Sequence, residues 1–426
     1  MAPMPGTAPR IVIVGGGFGG LDAARALARA PVAVTLIDRH NYHLFQPLLY
    51  QVATASLSPG DIASPIRWIL RRQRNVEVLL ADARAIDVAH RQLVLDRGSI
   101  GYDYLILATG ATHAYFGHPE WEARAPGLKT LDDAVDMRRQ VLLAFEAAER
   151  EPDPVEQRRL LTFVIVGGGP TGVELAGALA EIARQTLRED FRHIRPETAR
   201  ILLIEGSPRI LGTFAPELGA AARRALERLG VEVRTGSIVT RVDEHGVQAG
   251  GEQIEAQTVL WAAGVAASPL VQSLGVPLDR AGRVPAEPTL AVPGHPEIFV
   301  VGDVCALQQD GKPLPGVAQV AKQGGRHAAK NVLRAINGEP LQPFRYRDYG
   351  NMATIGRGAA VGEPFGIEVS GWVAWVFWIF LHLFWLIGFR NRLAVMGEWA
   401  WAYVTFQRRV RLITGEKLWP TDRTPG

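Results

Sequence analysis

The chain has 426 residues, 47% hydrophobic and 21% charged, a composition typical of a globular protein with two or three domains and substantial cores. The net charge is only +3, but the residues from Arg390 onward include seven Lys/Arg against three acids, so positive charge is concentrated at the C-terminal end. The single cysteine, Cys305, excludes an intrachain disulfide, a redox-active cysteine pair and an iron–sulfur site.

The first predicted element is a strand at Ile11–Val14 that leads into a glycine-rich turn. Its four β-branched residues show no polar alternation, which is typical of a strand covered on both faces. Gly15, Gly17 and Gly20 then form G-x-G-x-x-G, which permits a tight turn, close approach of a pyrophosphate and close helix packing. An Ala/Leu-rich helix and a second apolar strand follow, and the strand ends at Asp38, whose carboxylate can accept hydrogen bonds from ribose hydroxyls. This context favours a dinucleotide site over a plain glycine turn.

The same pattern is repeated after the strand FVIV. Gly167, Gly169 and Gly172 have the same spacing before another Ala/Leu-rich helix, and Glu205 ends a later strand as the aspartate does in the first copy. The interval before Glu205 exceeds the usual spacing of about twenty residues. The excess lies in the charged stretch RQTLREDFRHIRPE, which we expect to extend the helix. Two copies predict two dinucleotide sites, so that one nucleotide is held while the other exchanges.

Three further strands are predicted to end in small or acidic residues. YLIL leads into the small turn Ala108–Gly110, TVLWAA leads to Gly264, and EIFVV ends in Gly302 and Asp303. Ligands of doubly wound sheets bind at the carboxyl ends of the strands, so these residues are candidates for contact with a nucleotide. The alternative for Asp303 is an N-cap of the next helix.

Two other stretches have compositions suited to contact with the flat ring system of a ligand. Residues 39–70 are too apolar and aromatic for a surface loop, and the alternative is a loop packed on the core. Gln319 and Gln323 are four residues apart, hence on one face of a predicted helix whose small residues allow close approach of a planar ligand. The alternative is an ordinary Ala-rich helix.

The stretch Gly371–Phe389 is nineteen residues long, with His382 as its one polar residue. This length suits a membrane span, but a span would put the arginine-rich tail on the side opposite the catalytic body, against the positive-inside bias. The next run, VMGEWAWAYVTFQRRVRL, is amphipathic, aromatic and basic, as interfacial helices are. We therefore predict two helices that lie in or dip into the cytoplasmic leaflet. A single span and a dimer interface are the alternatives, and His382 is expected to pack rather than to bind a metal.

From Arg10 to Gly415 the chain resembles the type II NADH dehydrogenases, single-chain NADH:quinone oxidoreductases of the pyridine nucleotide-disulfide oxidoreductase superfamily. The resemblance lies in six separated motifs: GGGFGG, FQPLLYQVAT, GGGPTGVE, VGDVCAL, AQVAKQGG and IGFRNRL. It implies an α/β fold similar to glutathione reductase, with two Rossmann-like dinucleotide-binding domains, the NADH domain inserted in the FAD domain, and C-terminal membrane-associated helices. The implied limits are 8–117 and 285–338 for the FAD domain, 118–160 for a connection, 161–284 for the NADH domain and 339–426 for the membrane-anchoring region.

The resemblance also implies the site residues. For FAD they are Gly15, Gly17, Gly20, Asp38, Arg39, Ala83, Ala108, Thr109, Gly110, Gly302 and Asp303. For NADH they are Gly167, Gly169, Gly172, Glu205 and Gly264, and the Glu205 carboxylate disfavours the extra phosphate of NADPH by charge repulsion. The quinone-side motif falls on Ala318, Gln319 and Gln323. Glu174, expected in the first turn of the second helix, is the candidate for tuning the proton balance of the reduced flavin, and its alternative role is an ordinary first-turn acid.

The predicted function is an NADH:quinone oxidoreductase of respiratory electron transport that does not pump protons. A hydride passes from NADH to FAD, and two electrons then reduce ubiquinone or menaquinone. The alternatives are a flavin-dependent reductase of a protein acceptor such as ferredoxin or rubredoxin, and a low-turnover flavin sensor or DNA-interacting factor. Sulfide:quinone oxidoreductases and disulfide reductases use more than one cysteine and are excluded.

The expected location is the cytoplasmic face of the inner (plasma) membrane. The first ten residues lack the apolar core of a signal peptide, so export is not expected. The aromatic residues interleaved with the basic tail favour lipid over nucleic acid as the acidic partner. We expect a peripheral or monotopic protein without a metal or a nucleic-acid partner, and the resemblance implies a homodimer.

Overall fold

The computed structural model describes residues 8–405, 408 and 410–414, and the side chains of residues 389, 390 and 404 are not described. Part of the predicted membrane-anchoring region 339–426 therefore lies outside the described residues. Two compact units are built from segments that alternate along the chain. As far as the described residues extend, the first comprises Met1–Leu44, Ala63–Thr112 and Val265–Asp348, and the second comprises Phe45–Ile62, His113–Gly264 and Tyr349–Gly426. The domain limits given above stay a prediction.

Helices occur in both units and are numbered here along the chain. They are α1 (Phe18–Ala26), α2 (Leu49–Ala53), α3 (Pro59–Ile62), α4 (Ile66–Leu70), α5 (Leu131–Arg150), α6 (Pro154–Leu160), α7 (Pro170–Glu181), α8 (Pro216–Arg228), α9 (Ala318–Ile336), α10 (Gly371–Trp385) and α11 (Phe389–Thr405). α5 begins with a capping box, because the Thr130 hydroxyl accepts the Asp133 N–H at 3.1 Å and the Asp133 carboxylate accepts the Thr130 N–H at 2.8 Å.

The first unit contains a six-stranded sheet. Its order is Ala291–Val292, His295–Val300, Tyr104–Leu107, Arg10–Val14, Ala33–Asp38 and Val76–Leu80. Neighbouring strands are parallel except for the antiparallel edge strand Ala291–Val292. In the inner strand Arg10–Val14 every residue after Arg10 is buried, which is the physical reason for its unbroken apolar sequence.

The second unit contains a four-stranded parallel sheet. Its order is Val231–Arg234, Arg200–Ile204, Thr162–Val166 and Thr258–Trp261. Thr162–Val166, the counterpart of Arg10–Val14, is buried along its whole length. The predicted α/β class with two Rossmann-like sheets is therefore confirmed.

Smaller antiparallel sheets complete the strand structure. Those with three strands are Ala83–Asp87, Gln92–Leu95 and Ser99–Gly101; Val239–Asp243, Gly246–Ala249 and Glu252–Glu255; and Met352–Gly356, Ala359–Gly362 and Val369–Ser370. Short pairs are formed by Tyr42–Leu44 with Ala63–Pro65, by Gln308–Gln309 with Lys312–Pro313, and, in parallel, by Val284–Pro285 with Cys305–Ala306; Ala111–His113 and Val265–Ala267 form one more two-stranded sheet.

The insertion inside the second dinucleotide-binding unit differs from expectation. α7 ends at Glu181, and only the π-helical turn Ile182–Thr186 continues it before a series of turns and a short 3₁₀ helix at Pro196–Thr198. The Glu149 carboxylate accepts the three backbone N–H groups of residues 192–194 at 2.9 to 3.1 Å. Because a side chain satisfies these amides, no helix is required there. The predicted extension of the helix is therefore wrong.

α10 covers most of the C-terminal apolar run, and α11 begins at the last residue of that run, Phe389. α10 ends at Trp385, since Leu386 is extended and Gly388 has a φ of +95°. The Arg392 guanidinium, in α11, donates to the carbonyls of Phe384 and Leu386 at 2.8 Å and so satisfies the end of α10. Within the described part of the chain, no helix has both the length and the hydropathy to cross a bilayer.

α10 has a buried and an exposed side. Ala374, Trp378 and His382, at four-residue intervals, are buried, and the His382 Nδ1–H donates to the Trp378 carbonyl at 2.7 Å. Burial lowers the pKa of His382 to about 4, so the imidazole is neutral. The large apolar residues of the other side form what we call the exposed apolar face: Trp372, Val373, Phe377, Phe380, Leu381 and Phe384 of α10 and Leu393, Met396, Trp401 and Tyr403 of α11.

Candidate functional site

The first glycine turn joins the Arg10–Val14 strand to α1. Gly15 has a φ of +102°, and a Cβ there would lie 2.7 Å from the carbonyl carbon of Ala108, so only glycine fits. A Cβ on Gly20 would press into the Gly15 carbonyl group. Gly17 differs, because no described atom lies within 4 Å of its Cβ position. The space beside Gly17 is therefore available to a ligand.

The Asp38 carboxylate faces this turn from the end of the neighbouring strand. Its Oδ2 accepts the Gly16 N–H at 2.6 Å, and its Oδ1 accepts the His40 N–H at 2.7 Å. Both bonds fix the carboxylate beside the turn, where an acid of a dinucleotide-binding unit can reach a ribose. Arg39 and Ala83 are placed differently. Arg39 is exposed, Ala83 opens a strand of a separate sheet, and neither makes a hydrogen bond to the turn among the described residues.

A buried histidine, which the sequence pattern did not reveal, supports the same turn. His43 is 2% exposed, and its Nδ1–H donates to the Gly16 carbonyl at 2.9 Å. Its ring stands edge-on to Phe18 with a centroid distance of 5.1 Å. Burial lowers the pKa of His43 to about 4, so the ring is neutral and Nε2 carries a lone pair without a hydrogen-bond partner in the described structure. The only sequence signal for it is its place in the aromatic stretch after Asp38.

Two more strand ends of this sheet lie at the same edge. The Ala108 N–H donates to the Val14 carbonyl at 2.8 Å, which puts the Ala108–Gly110 turn beside the glycine turn. The hydroxyl oxygen of Thr109 is buried and has no hydrogen-bond partner among the described residues. Gly302 and Asp303 follow the next parallel strand within a 3₁₀ turn, so Asp303 does not cap α9. The open cradle, the fixed carboxylate and the unsatisfied buried atoms fit a bound dinucleotide.

A cavity of about 140 Å³ lies at this edge of the first unit. Asp303, Cys305 and Arg283 contribute to its lining. Burial raises the pKa of the Cys305 thiol to about 12, and the Arg283 charge offsets only part of this rise. The thiol is therefore protonated at neutral pH, and no structural feature assigns it a chemical role.

We expect Cys305 to react slowly with thiol reagents in the folded protein. A pKa of about 12 leaves roughly a thousandfold less thiolate at pH 8 than an unfolded chain has, and the thiolate is the reacting species. Reaction with an aromatic disulfide reagent, followed by absorbance in native buffer and in guanidinium chloride, measures the ratio. A native rate within tenfold of the unfolded rate contradicts the expectation.

α9 carries the two glutamines predicted to face the quinone, and the structure distinguishes them. The Gln323 amide pairs with the backbone of Arg347, donating to its carbonyl at 2.9 Å and accepting its N–H at 3.0 Å. Gln319, one turn earlier, is half-buried, and its side chain makes no hydrogen bond within the described part of the chain. A Cβ on Gly325 would lie 2.8 Å from the carbonyl carbon of Gly19, so at least one small residue of α9 serves packing against α1. Gln319 is thus the glutamine whose amide is available to a ligand.

The second glycine turn repeats the geometry of the first. Gly167 has a φ of +107°, and its N–H donates to the Ile204 carbonyl at 2.7 Å. A Cβ on Gly172 would press into the Gly167 carbonyl group, whereas no described atom lies within 4 Å of the Cβ position of Gly169. The second unit therefore has an open cradle of the same kind.

Glu205 occupies the position that Asp38 has in the first unit. Its Oε2 accepts the Gly168 N–H and its Oε1 accepts the Ser207 N–H, at 2.6 and 2.7 Å. These bonds reproduce those of Asp38 residue for residue. The structure thus brings Glu205 to the turn despite the long insertion before it.

Gly264 lies beyond the end of the Thr258–Trp261 strand, the fourth strand of the sheet. The Ala262 N–H donates to the Val166 carbonyl at 2.7 Å, so Ala262 is the residue directly beside the glycine turn. A Cβ on Gly264 would lie 2.8 Å from the Phe116 ring. Gly264 is therefore in contact with an aromatic side chain of its own unit.

Glu174 lies on α7, two residues after the last glycine of the turn. Because α7 begins at Pro170, Glu174 is in the second turn of the helix and the predicted first-turn position is wrong. Its carboxyl Oε1 accepts the Thr354 N–H at 3.4 Å. Burial raises the pKa of Glu174 to about 8, so the carboxyl group is protonated at neutral pH. A protonated, nearly buried acid beside a nucleotide turn has the properties of a proton donor.

A buried polar pair in the same unit was also missed at the sequence level. The Gln51 Nε2–H donates to the Tyr50 hydroxyl at 2.8 Å, and the Trp399 Nε1–H of α11 donates to Gln51 Oε1 at 2.7 Å. Burial, together with the Glu174 charge, raises the pKa of Tyr50. The motif FQPLLYQVAT contains both residues, but its letters do not show that they pair with each other and with α11.

Comparison with known proteins agrees with this geometry. Residues 9–325 match the family model described as pyridine nucleotide-disulphide oxidoreductase. The chain is 46% identical to the type II NADH:quinone oxidoreductase NdhA of Mycobacterium tuberculosis, over 96% of this chain and 90% of that protein. It is 44% identical to Ndh of the same organism, over 97% and 92% of the two chains. The solved structure of NDH2 from Plasmodium falciparum in complex with NADH matches with a TM-score of 0.85 at 20% identity, over 96% of this chain and all of that one, and so shows the fold.

Proposed function

The chain belongs to the pyridine nucleotide-disulphide oxidoreductase family and, within it, to the type II NADH:quinone oxidoreductases, and we propose that it oxidises NADH and reduces a quinone with FAD as its cofactor. The reaction consumes NADH, one proton and the quinone and yields NAD⁺ and the quinol. One observation supports this most directly: each unit has an open glycine turn with an acid fixed beside it, so the chain has two places for dinucleotides.

The first unit is the proposed FAD site. When bound, FAD takes up a hydride and passes two electrons on. Gly17 leaves room for the pyrophosphate, Asp38 accepts hydrogen bonds from the ribose, and Thr109 and Asp303 offer polar atoms to the rest of the cofactor. The other residues of this proposed site are Gly15, Gly20, Arg39, Ala83, Ala108, Gly110 and Gly302.

The second unit is the proposed NADH site. Gly167, Gly169 and Gly172 form the turn that receives the pyrophosphate, with Gly264 farther along the same sheet edge. The Glu205 carboxylate accepts hydrogen bonds from the ribose and would repel a 2′-phosphate. NADH is therefore the expected donor, in preference to NADPH.

Glu174 is proposed to hold a proton beside the NADH site. At neutral pH its carboxyl group is protonated, because burial raises its pKa to about 8. It can then exchange a proton with the reacting groups while the protein around it excludes water. Gln319 is proposed to donate its amide N–H to a quinone oxygen, and Gln323 to hold α9 against the Arg347 backbone while its remaining N–H faces the quinone.

Acceptor specificity tests this function. We expect NADH oxidation to accelerate when a short-chain quinone is added and to stay slow with ferredoxin or rubredoxin alone. NADPH should be a much poorer donor than NADH. Fast turnover with a protein acceptor and none with quinone would instead support the reductase alternative, and slow turnover with both would support a sensor.

The exposed apolar face of α10 and α11 is the proposed membrane-binding surface. Phe380 and Phe384 are 70% and 67% exposed, and large clustered aromatic residues are rare on a surface that stays in water. An interfacial helix buries such residues among lipid chains while nearby basic residues meet anionic headgroups. We propose that this face attaches the protein peripherally to the cytoplasmic face of the plasma membrane, in which the quinone is dissolved. We also propose that the protein is a homodimer, which analytical ultracentrifugation will test.

Replacing both Phe380 and Phe384 with Ser is expected to weaken vesicle binding by about a hundredfold or more, since each buried phenyl ring contributes about 1.5 to 3 kcal/mol and every 1.4 kcal/mol is about tenfold in affinity. Flotation with vesicles of phosphatidylglycerol and phosphatidylcholine measures the bound fraction. The matched control is Ile238→Ser, which removes an exposed apolar side chain of the same unit outside this face. Equal flotation of the double variant and the control would exclude this face as the membrane-binding surface.

A further inference from the structure

Phe116 is a large, exposed aromatic residue of the second unit. It is 68% exposed, and its φ of +51° lies in the left-handed region, which a bulky residue other than glycine rarely adopts. Gly117 continues the turn with a φ of +93°. A strained backbone persists only where its surroundings hold it, and such residues concentrate at ligand sites. Phe116 is therefore a candidate for contact with a ligand.

The loop that carries Phe116 is fixed to the neighbouring strand. The Trp261 Nε1–H donates to the Ala114 carbonyl at 2.9 Å, and the Ala114 N–H donates to the Gly264 carbonyl at 3.2 Å. The Tyr115 ring is buried, with its centroid 5.2 Å from that of the Trp261 ring. Because Tyr115 supplies the packing of this loop, the exposed ring of Phe116 adds little to the core. The loop thus holds Phe116 in place without burying it.

Three consecutive residues link the Phe116 ring to the second glycine turn. A Cβ on Gly167 would lie 2.5 Å from the Ala262 carbonyl carbon and 2.6 Å from the Ala263 Cα, so both residues touch the turn. A Cβ on Gly264, the next residue, would lie 2.8 Å from Cζ of the Phe116 ring. The ring therefore stands at the same sheet edge as the turn, one residue beyond the nearest contacts of the turn.

The order of the strands indicates which half of a dinucleotide lies nearest this ring. The strand Thr162–Val166, which leads into the turn, lies between Arg200–Ile204 and Thr258–Trp261. Glu205 follows the first of these neighbours, and Phe116 lies beyond the end of the second. A dinucleotide places its pyrophosphate on the turn and its adenosine ribose on the acid, so its nicotinamide half extends toward the opposite neighbour. Phe116 is on that side of the turn.

We propose that the Phe116 ring packs against the nicotinamide ring of the nucleotide bound to the second unit, an inference that rests on the proposed function. Aromatic rings pack favourably on one another, and the face of a phenyl ring also attracts a cation. The nicotinamide ring of NAD⁺ is a positively charged pyridinium, whereas the reduced ring of NADH is uncharged. The contact therefore orients both forms and adds a cation–π attraction for NAD⁺.

The test compares NAD⁺ with ADP-ribose, which keeps the adenosine, both phosphates and the second ribose but lacks the nicotinamide ring. Equilibrium dialysis gives the Kd of each ligand for the holoenzyme with its FAD bound, in the wild type, Phe116→Ala and Phe116→Tyr. The matched control is Phe365→Ala. Phe365 is another exposed phenylalanine of the same unit, with a φ of +54°, and its ring stands edge-on to Tyr349 at a centroid distance of 6.3 Å.

We expect Phe116→Ala to raise the Kd of NAD⁺ roughly fivefold to thirtyfold and to leave the Kd of ADP-ribose within about twofold of the wild type, since only NAD⁺ carries the ring that Phe116 contacts. Phe116→Tyr keeps the aromatic face and should bind NAD⁺ within about threefold of the wild type. Phe365→Ala should change neither Kd. Melting temperatures, recorded in excess FAD, report any general loss of stability.

Two results overturn the proposal: an unchanged Kd of NAD⁺ in Phe116→Ala, as a side chain that meets some other surface would give, or equal weakening of NAD⁺ and ADP-ribose, as distortion of the turn would give. If Phe116→Ala does not fold, Phe116→Gly replaces it, because glycine adopts a positive φ without strain. Quinone-dependent NADH oxidation by the wild-type protein is measured in the same preparations. Its absence would contradict the proposed function, whereas the two Kd values would still decide the role of Phe116.

Discussion

Gly169→Ala is expected to raise the KM for NADH by roughly tenfold to a hundredfold while the protein keeps its FAD. The backbone angles of Gly169, φ −72° and ψ −178°, suit alanine, and no described atom lies within 4 Å of the added methyl group. The methyl group therefore disturbs only a ligand whose pyrophosphate approaches the backbone. Steady-state oxidation of NADH at a fixed quinone concentration gives KM, and the visible spectrum gives the ratio of flavin to protein.

The equivalent change in the first unit supplies the control. Gly17 also has angles that alanine adopts and an open Cβ position, so Gly17→Ala should fold and lose FAD, with the KM for NADH little changed in the fraction that retains flavin. The two variants thus separate the two nucleotide sites. If Gly169→Ala lost flavin, or if it left the KM for NADH unchanged, the assignment of NADH to the second unit would be wrong.

Glu174→Gln is expected to stabilise the protein at alkaline pH and to remove a pH dependence of turnover near pH 8. Burial raises the pKa of Glu174 from about 4.5 to about 8 in the folded state, so the folded state binds a proton that the unfolded state has lost. Stability of the wild type therefore falls as pH rises from about 4.5 to about 8 and is constant above that range. By pH 7 the free energy of unfolding of the wild type has fallen by about 3 kcal/mol, on the order of 1.4 kcal/mol for each pH unit above the unfolded-state pKa of about 4.5.

Glutamine has no proton to lose and keeps the oxygen that accepts the Thr354 N–H. Thermal unfolding should therefore show a higher melting temperature for the variant at pH 9 and a small difference at pH 5. The rate of quinone-dependent NADH oxidation should change near pH 8 in the wild type only. Glu227→Gln, at an exposed helical position, is the matched control and should change neither property. Identical pH profiles of wild type and Glu174→Gln would exclude Glu174 from the proton balance.

The two nucleotide turns could be predicted from the sequence because their signals are local. A buried strand, three spaced glycines and a small-residue helix are contiguous, and the close approach of Gly20 to the Gly15 carbonyl and of Gly172 to the Gly167 carbonyl lies within each motif. Glu205 could be placed despite its spacing, because the apolar strand before it identifies the sheet edge. In both units the acid at that edge accepts a hydrogen bond from the equivalent glycine N–H group, that of Gly16 for Asp38 and that of Gly168 for Glu205.

The remaining features depend on contacts between residues that are distant in the sequence. The insertion after α7 is not a helix, because the Glu149 carboxylate of α5 accepts hydrogen bonds from the backbone N–H groups of residues 192–194. Two C-terminal helices were predicted, but the end of the first at Trp385, within the apolar run, depends on Gly388 and on the Arg392 side chain. The place of Phe116 beside Gly264 depends on contacts of its loop with Trp261, and this follows from tertiary packing rather than from composition.

The most direct measurement of the central claim is anaerobic stopped-flow absorbance of the purified yellow protein, mixed first with NADH and then with a short-chain quinone. The proposed function predicts rapid bleaching of the flavin by NADH and rapid return of the oxidised spectrum with quinone, both fast enough to account for turnover. Rapid bleaching followed by slow reoxidation with quinone would contradict the claim and identify a protein acceptor or a sensing role as the better account.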